Sequence, residues 1–167
     1  IYDLQSTIQN PMTALKTILF LLLVPGLLLV ALPAWLMATD TALFSFSLFR
    51  WLTIPCWMIG AAGTIWCAWA FTVRGRGTPS PTDPPKELVV SGLYRYVRNP
   101  IYLGVVMFLL GHVLWHPARA ILWMPLIVAV SSHLFIIFYE EPHLRKTFGA
   151  AYEEYCRKVP RWIPRLK

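Results

Sequence analysis

Four apolar runs, at roughly 14–37, 51–73, 101–115 and 118–139, constrain this 167-residue chain more than any other feature. About 20 consecutive apolar residues cross a bilayer as an α-helix, and the first, second and fourth runs reach that length. The third has 15 residues and spans only about 22 Å at helical rise. It crosses if residues before Pro100 extend it, or if tilt or local thinning makes up the difference. Pro25, Gly26 and Pro33 interrupt the first run. Membrane helices tolerate such breakers where neighbours satisfy the freed backbone groups. Between the third and fourth runs, His116-Pro117-Ala118-Arg119 leaves room for little more than a tight turn. These two runs are therefore expected to form an antiparallel hairpin.

Composition points the same way. Charged residues make up 14% of the chain and hydrophobic ones 57%, against about 25% charged in a soluble domain; mean hydropathy is +0.55. A net charge of +7 raises the question of nucleic acid, which its placement answers. Arg74, Arg76, Lys86, Arg95 and Arg98 fall between the second and third runs. Arg145, Lys146, Arg157, Lys158, Arg161, Arg165 and Lys167 follow the fourth. Only Arg50 and Arg119 lie in the other two connections, with Lys16 near the start. This bias puts both termini and the 74–100 loop in the cytoplasm, in the inner membrane if the source is bacterial. No nucleic-acid partner is then needed to explain the charge. The expected fold is an all-α polytopic membrane protein with about four transmembrane helices, a C-terminal helical hairpin and a cytoplasmic amphipathic tail helix. It divides into a helix pair (14–73), a polar loop (74–100), the hairpin (101–139) and the tail (140–167).

Smaller signals fill in the connections. Cys56, Cys67 and Cys156 are odd in number and lack metal-type spacing, so neither a disulfide framework nor a zinc site is expected. The chain begins with Ile1, so a native start is expected to be missing. The first long apolar run is too long for a signal peptide and has no small-residue cleavage site. Prolines 79, 81, 84 and 85 make the 74–85 stretch a stiff connector. Gly75 and Gly77 resemble a phosphate-cradling turn only weakly, because no strand precedes them. In the tail, Leu144, Phe148, Tyr152 and Tyr155 form one apolar stripe. Pro142 suits its first turn, and Val159-Pro160 ends it. Such a basic amphipathic helix lies on the membrane interface or serves as a lid.

Two polar groups flank the hairpin on one side: Tyr94, Arg95, Arg98, Asn99 and Tyr102, and then Glu140 with Glu141. The hairpin returns the chain to its starting face, so the two groups are expected to meet. If the stretch before Asn99 is helical, Tyr94 and Arg98 share a face, while Pro100 breaks the element. Arg95 by itself reads as a headgroup anchor; Arg98 with Glu140 reads as a site. His112 and His116 stand four apart without a third ligand, so packing is expected and no metal. His133 is a polar island in the fourth run, expected either to line a substrate path or to hydrogen-bond between helices.

With these residues in view, SGLYRYVRNPIYLG (91–104) resembles a Gly-x-Tyr-x-x-x-Arg-His-Pro-x-Tyr-x-Gly motif. That motif belongs to the integral-membrane isoprenylcysteine carboxyl methyltransferase and phospholipid methyltransferase group. EEPHLRKTFGAAYEEYCRKVPRWIP (140–164) resembles the tail signature of the same group. The likeness covers about 86–164 and implies a single membrane methyltransferase-like domain. It also implies an S-adenosylmethionine site in a cytoplasm-facing pocket closed by the tail. Carried over by position, the cofactor-binding residues are Lys86, Glu87, Leu88, Val89, Tyr94, Asn99, Pro100, Ile101, Tyr102 and Glu140. Arg98, Asn99 and Glu140 are the catalytic candidates, with Arg98 inferred as partner of the cofactor's methionyl carboxylate.

Two positions depart from the pattern. Asn99 stands where the motif commonly has His, and it cannot titrate near neutral pH. Ile136 stands four residues before Glu140, where the prenylcysteine enzymes place an arginine for the acceptor carboxylate. The expected partners are membrane lipids and a lipophilic or lipidated acceptor: phospholipid amine, prenylcysteine carboxylate or similar. Two other readings stay open. One is a sterol-reductase-type enzyme using NADPH, whose tail is similar; the other is a non-catalytic membrane scaffold with this fold.

Overall fold

A computed structural model describes residues 11–43, 49–75, 78 and 86–164. The proline-rich connector, Arg76, Arg165 and Lys167 lie outside them. The described residues form helices and no strand. The first run forms α1 (Pro11–Gly26), a π-turn (Leu27–Ala31) and α2 (Leu32–Thr39). Pro25 cannot donate to the helical ladder, and the wide turn follows directly after it. A 3₁₀ turn (Arg50–Leu52) leads into α3 (Thr53–Val73). A second 3₁₀ turn (Gly92–Arg95) precedes α4 (Pro100–Trp115). α5 (Arg119–Phe135) passes through a π-turn (Ile136–Glu140) into α6 (Glu141–Phe148), and α7 (Ala150–Lys158) follows.

Three helical stretches are long and apolar enough to cross a membrane: Ala14–Thr39, Arg50–Val73 and Arg119–Phe148. Pro100–Trp115 is a shorter apolar helix. Residues before Pro100 do not lengthen it: Asn99 is non-helical (φ −124°, ψ 52°) and only the short 3₁₀ turn precedes it. The helical face that Tyr94 and Arg98 were expected to share therefore does not form.

Packing is closest between α3 and α4. A Cβ on Gly60 would sit 2.6 Å from the Phe108 nitrogen, and one on Gly104 would sit 2.7 Å from Thr64 Oγ1. The two backbones touch because side chains are absent there, the packing mode that membrane helices favour. At the far end, Leu29, Leu109, Ala118, Ile121 and Met124 bury one another and close the bundle.

The tail departs from a single amphipathic helix. Its first half continues the α5 axis through the π-turn, and Gly149 (φ 52°) breaks it before α7. The stripe of Leu144, Phe148, Tyr152 and Tyr155 packs together with Val159 and Leu88. These side chains face the protein instead of a membrane surface.

Candidate active site

The hairpin brings the two polar groups together as the sequence implied, but with different pairings. Tyr102, one turn into α4, donates its hydroxyl to Glu140 Oε2 (2.9 Å). Glu140 makes no ion pair with any described residue. Arg98, expected opposite Glu140, instead faces Glu141 (Nη1–Oε1, 3.1 Å) and donates to Cys156 Sγ (2.7 Å). Glu141 also receives Arg161 through Nε (2.8 Å) and Nη2 (2.9 Å), a two-pronged contact. Residue 141 is 6% exposed, so its charge is held by two guanidiniums with little help from water. The π-turn makes this division: it ends at Glu140, and Glu141 opens α6. Single-turn π segments recur at functional sites in helices.

The tail is tied down over these residues at several points. Tyr155 donates its hydroxyl to the Tyr94 carbonyl (2.7 Å), and the Arg98 backbone N–H donates to the Pro160 carbonyl (2.9 Å). Asn99 Nδ2 donates to the Arg161 carbonyl (3.3 Å). Trp162 Nε1 donates to His133 Nδ1 (3.0 Å). His133 therefore bonds the tail, and it stands outside the lining of the cavity beneath the tail. His112 and His116 serve packing at the opposite end: Trp57 Nε1 donates to His112 Nδ1 (3.2 Å), and His116 Nε2 meets the Asp40 carbonyl (3.1 Å).

Beneath the tail lies a cavity of about 600 Å³. One end is polar, with Glu87, Tyr94, Arg98, Asn99, Tyr102, Glu140 and Glu141 in its lining. The other is apolar, bounded by Phe20, Val24, Leu28, Val105 and Val128. Leu88, Val89, Ile101, Tyr152 and Tyr155 complete the wall near the polar end. Of the positions carried over by resemblance, Lys86 and Pro100 stay out of the lining; the others line it. Two buried donors in that lining find no oxygen or nitrogen partner among the described residues: Arg98 Nε and the Tyr94 hydroxyl, which faces the Cys67 thiol. Burial holds the Tyr94 phenol well above its usual range, so it is a neutral donor. Orphaned buried polar atoms are costly unless a ligand meets them. With the Glu140 carboxyl, which has no cationic partner among the described residues, in the same lining, they fit a ligand bearing both cationic and hydrogen-bonding groups.

Sequence reasoning missed Glu141 as the charge centre, together with Arg161, Trp162 and the first helix as a cavity wall. The pairing of Glu141 had only a faint signal: Arg98 and Arg161 are each one of several basic residues in the two matching motifs. The first helix had none beyond its hydrophobicity.

The phospholipid methyltransferase profile matches residues 48–151. The chain belongs to that family. Protein-S-isoprenylcysteine O-methyltransferase B of Arabidopsis thaliana is 32% identical over 80 residues, 47% of this chain and 40% of that protein. The Schizosaccharomyces pombe protein-S-isoprenylcysteine O-methyltransferase is 37% identical over 79 residues, 46% of this chain and 33% of the relative. The Delta(14)-sterol reductase LBR of Gallus gallus is 32% identical over 83 residues, covering 48% of this chain and 13% of that protein. The chain thus spans well under half the length of these curated relatives. No solved structure matches it. Family membership covers the helices that frame the polar end, whereas α1 and α2 lie outside the matched residues.

Proposed function

We propose that this chain is an S-adenosylmethionine-dependent methyltransferase acting on a lipophilic acceptor at the cytoplasmic membrane face. The Lys/Arg bias supports this orientation: with α4 counted as a short fourth crossing, both termini and the polar end of the cavity would share the cytoplasmic face. One observation carries the reading in a chain of this family: Glu140 is a carboxyl group in the cavity wall, held by a hydroxyl and by no cation among the described residues. Such a group favours a ligand ammonium or sulfonium. Tyr102 orients Glu140, the Tyr94 hydroxyl and Asn99 offer further polar contacts, and Glu87 to Val89 with Ile101 enclose the ligand. Arg98 is engaged through Nη1 by Glu141, against its inferred role as partner of the methionyl carboxylate, and its buried Nε has no partner among the described residues.

S-adenosylmethionine, when bound, supplies a methyl group already activated on sulfur. The protein's share is to align the partners and exclude water, which the docked tail and the buried tyrosines do. The acceptor nucleophile is better read as an amine or a neutral group than as a carboxylate. Ile136 is fully buried where a carboxylate-holding arginine would stand, and Arg98 is committed to Glu141.

Calorimetry with S-adenosylhomocysteine on purified protein tests the site. Glu140→Ala is expected to weaken binding by about 2–5 kcal/mol, the cost of an unpaired buried charge. Unchanged affinity sinks the assignment. Mass spectrometry of lipid extracts after incubation with isotopically labelled donor identifies the acceptor. The match to a sterol reductase supports a second reading. Thermal stabilisation by NADPH, without any by S-adenosylhomocysteine, would select it.

A further inference from the structure

The segment between α3 and α4 has two faces, and only one of them belongs to the cavity. Leu88, Val89 and Tyr94 turn inward and line its polar end. Val90, Leu93 and Tyr96 turn outward and are 46%, 39% and 57% exposed. The 3₁₀ turn Gly92–Arg95 sits against the side of α3, not above its end. A Cβ on Gly92, whose φ is 63°, would fall 1.6 Å from Trp66 Cη2, and Trp66 stands about 10 Å before Val73 at helical rise. α3 belongs to a stretch apolar enough to cross a membrane. The turn therefore lies at the depth where hydrocarbon meets headgroups, and its outward tyrosine is a residue type that favours that depth.

Cations surround this outward face. Arg74, at the end of α3, donates through Nη1 to Ser91 Oγ and holds its guanidinium 5.9 Å from the Trp66 ring centroid, within cation–π reach. Arg95 closes the turn with an exposed side chain, and Lys86 is exposed at the start of the segment. None of the three forms an ion pair with a carboxylate among the described residues. Glu87, the acidic residue of the segment, is in the cavity lining. Positive charge beside exposed apolar side chains at one depth matches a molecule with an anionic head and hydrocarbon beneath it. A soluble anion would use the charge and leave Val90 and Leu93 bare; an anionic lipid covers both.

We infer that the outer face of residues 86–96 binds an anionic phospholipid, its phosphate held by Arg74 and Arg95, and that the bound lipid steadies the cavity wall on the inner face. The lipid site stands by itself; its effect on the cofactor rests on the methyl-transfer reading. The test places full-length protein in nanodiscs of phosphatidylcholine with or without phosphatidylglycerol. Native mass spectrometry is expected to find phosphatidylglycerol retained in preference to phosphatidylcholine. Arg74→Gln and Arg95→Gln should each cut that retention about fivefold, the order of one basic residue at an anionic surface. Arg157→Gln removes the same charge from an exposed position on α7 and should leave retention unchanged. By calorimetry, the wild type should bind S-adenosylhomocysteine severalfold more tightly with phosphatidylglycerol present. Arg95→Gln should lose that gain while keeping its affinity in phosphatidylcholine. Equal retention of the two lipids, equal losses in Arg95→Gln and Arg157→Gln, or the same tightening from inorganic phosphate in phosphatidylcholine nanodiscs would overturn the inference. Preferential retention with one S-adenosylhomocysteine affinity in both nanodiscs would overturn the coupling. If retention follows the arginines but the wild type binds no S-adenosylhomocysteine in either nanodisc, the lipid site stands and the methyl-transfer reading falls.

Discussion

Glu140 and Glu141 are neighbours in sequence with opposite duties. Glu140 turns its carboxyl to the cavity with the Tyr102 hydroxyl as its partner, while Glu141 is engaged by two arginines. Different measurements should therefore respond to each. Tyr102→Phe removes the hydroxyl that steadies Glu140, a hydrogen bond to a charged group worth about 1.5–3 kcal/mol. Affinity for S-adenosylhomocysteine should fall roughly tenfold or more by calorimetry, with little change in melting temperature. Glu141→Ala strands Arg98 and Arg161 and should cost about 3–5 kcal/mol of stability. Arg161→Ala should cost less, because Arg98 still covers the carboxylate; the order of thermal midpoints checks this. A larger loss in Arg161→Ala than in Glu141→Ala would contradict the pairing.

At the scale of elements, two glycines carry different physics. Gly104 lets α4 lie against Gly60 and Thr64 of α3. Gly104→Leu has nowhere to put its side chain and should force the helices apart, read as loss of the monodisperse peak in size-exclusion chromatography. Gly149 has open space around it but a φ of 52°. Gly149→Ala should fold and pay only backbone strain, about 1–3 kcal/mol, seen as a modest fall in melting temperature. The α3–α4 contact was invisible as a pairing in the sequence, since small residues identify a close approach but not its partner. The tail helix was legible as an apolar stripe, yet the stripe faces Leu88 and the cavity, not lipid. Periodicity records that a face is buried and is silent on what buries it.

Across the whole molecule, the tail and the membrane helices form one closed unit. Its attachments come from the α5 histidine, the 94–99 segment and the pair of arginines on buried Glu141. Removing one link loosens the closure without unfolding the bundle. Trp162→Ala forfeits the bond to His133, worth about 1 kcal/mol, and its ring packing. Limited proteolysis should then cut faster after residue 158, with α1 to α5 remaining intact. Equal cleavage rates would mean that the latch contributes nothing to docking.

The amino-acid sequence alone determined that this chain builds apolar helices, that its last two long helices form a hairpin, and that two polar motifs flank that hairpin. Those properties follow from local hydrophobicity, chain length and proline positions, which need no knowledge of neighbours. Only the tertiary structure decided that Arg98 serves Glu141 and leaves Glu140 to the cavity, and that His133 holds the tail. It also decided that the first helix walls the apolar end. Each of those depends on helix register, which a π-turn shifts by about one residue, and on which side chain reaches a buried charge. Such choices are made by packing across tens of residues, where one displaced turn exchanges the partners.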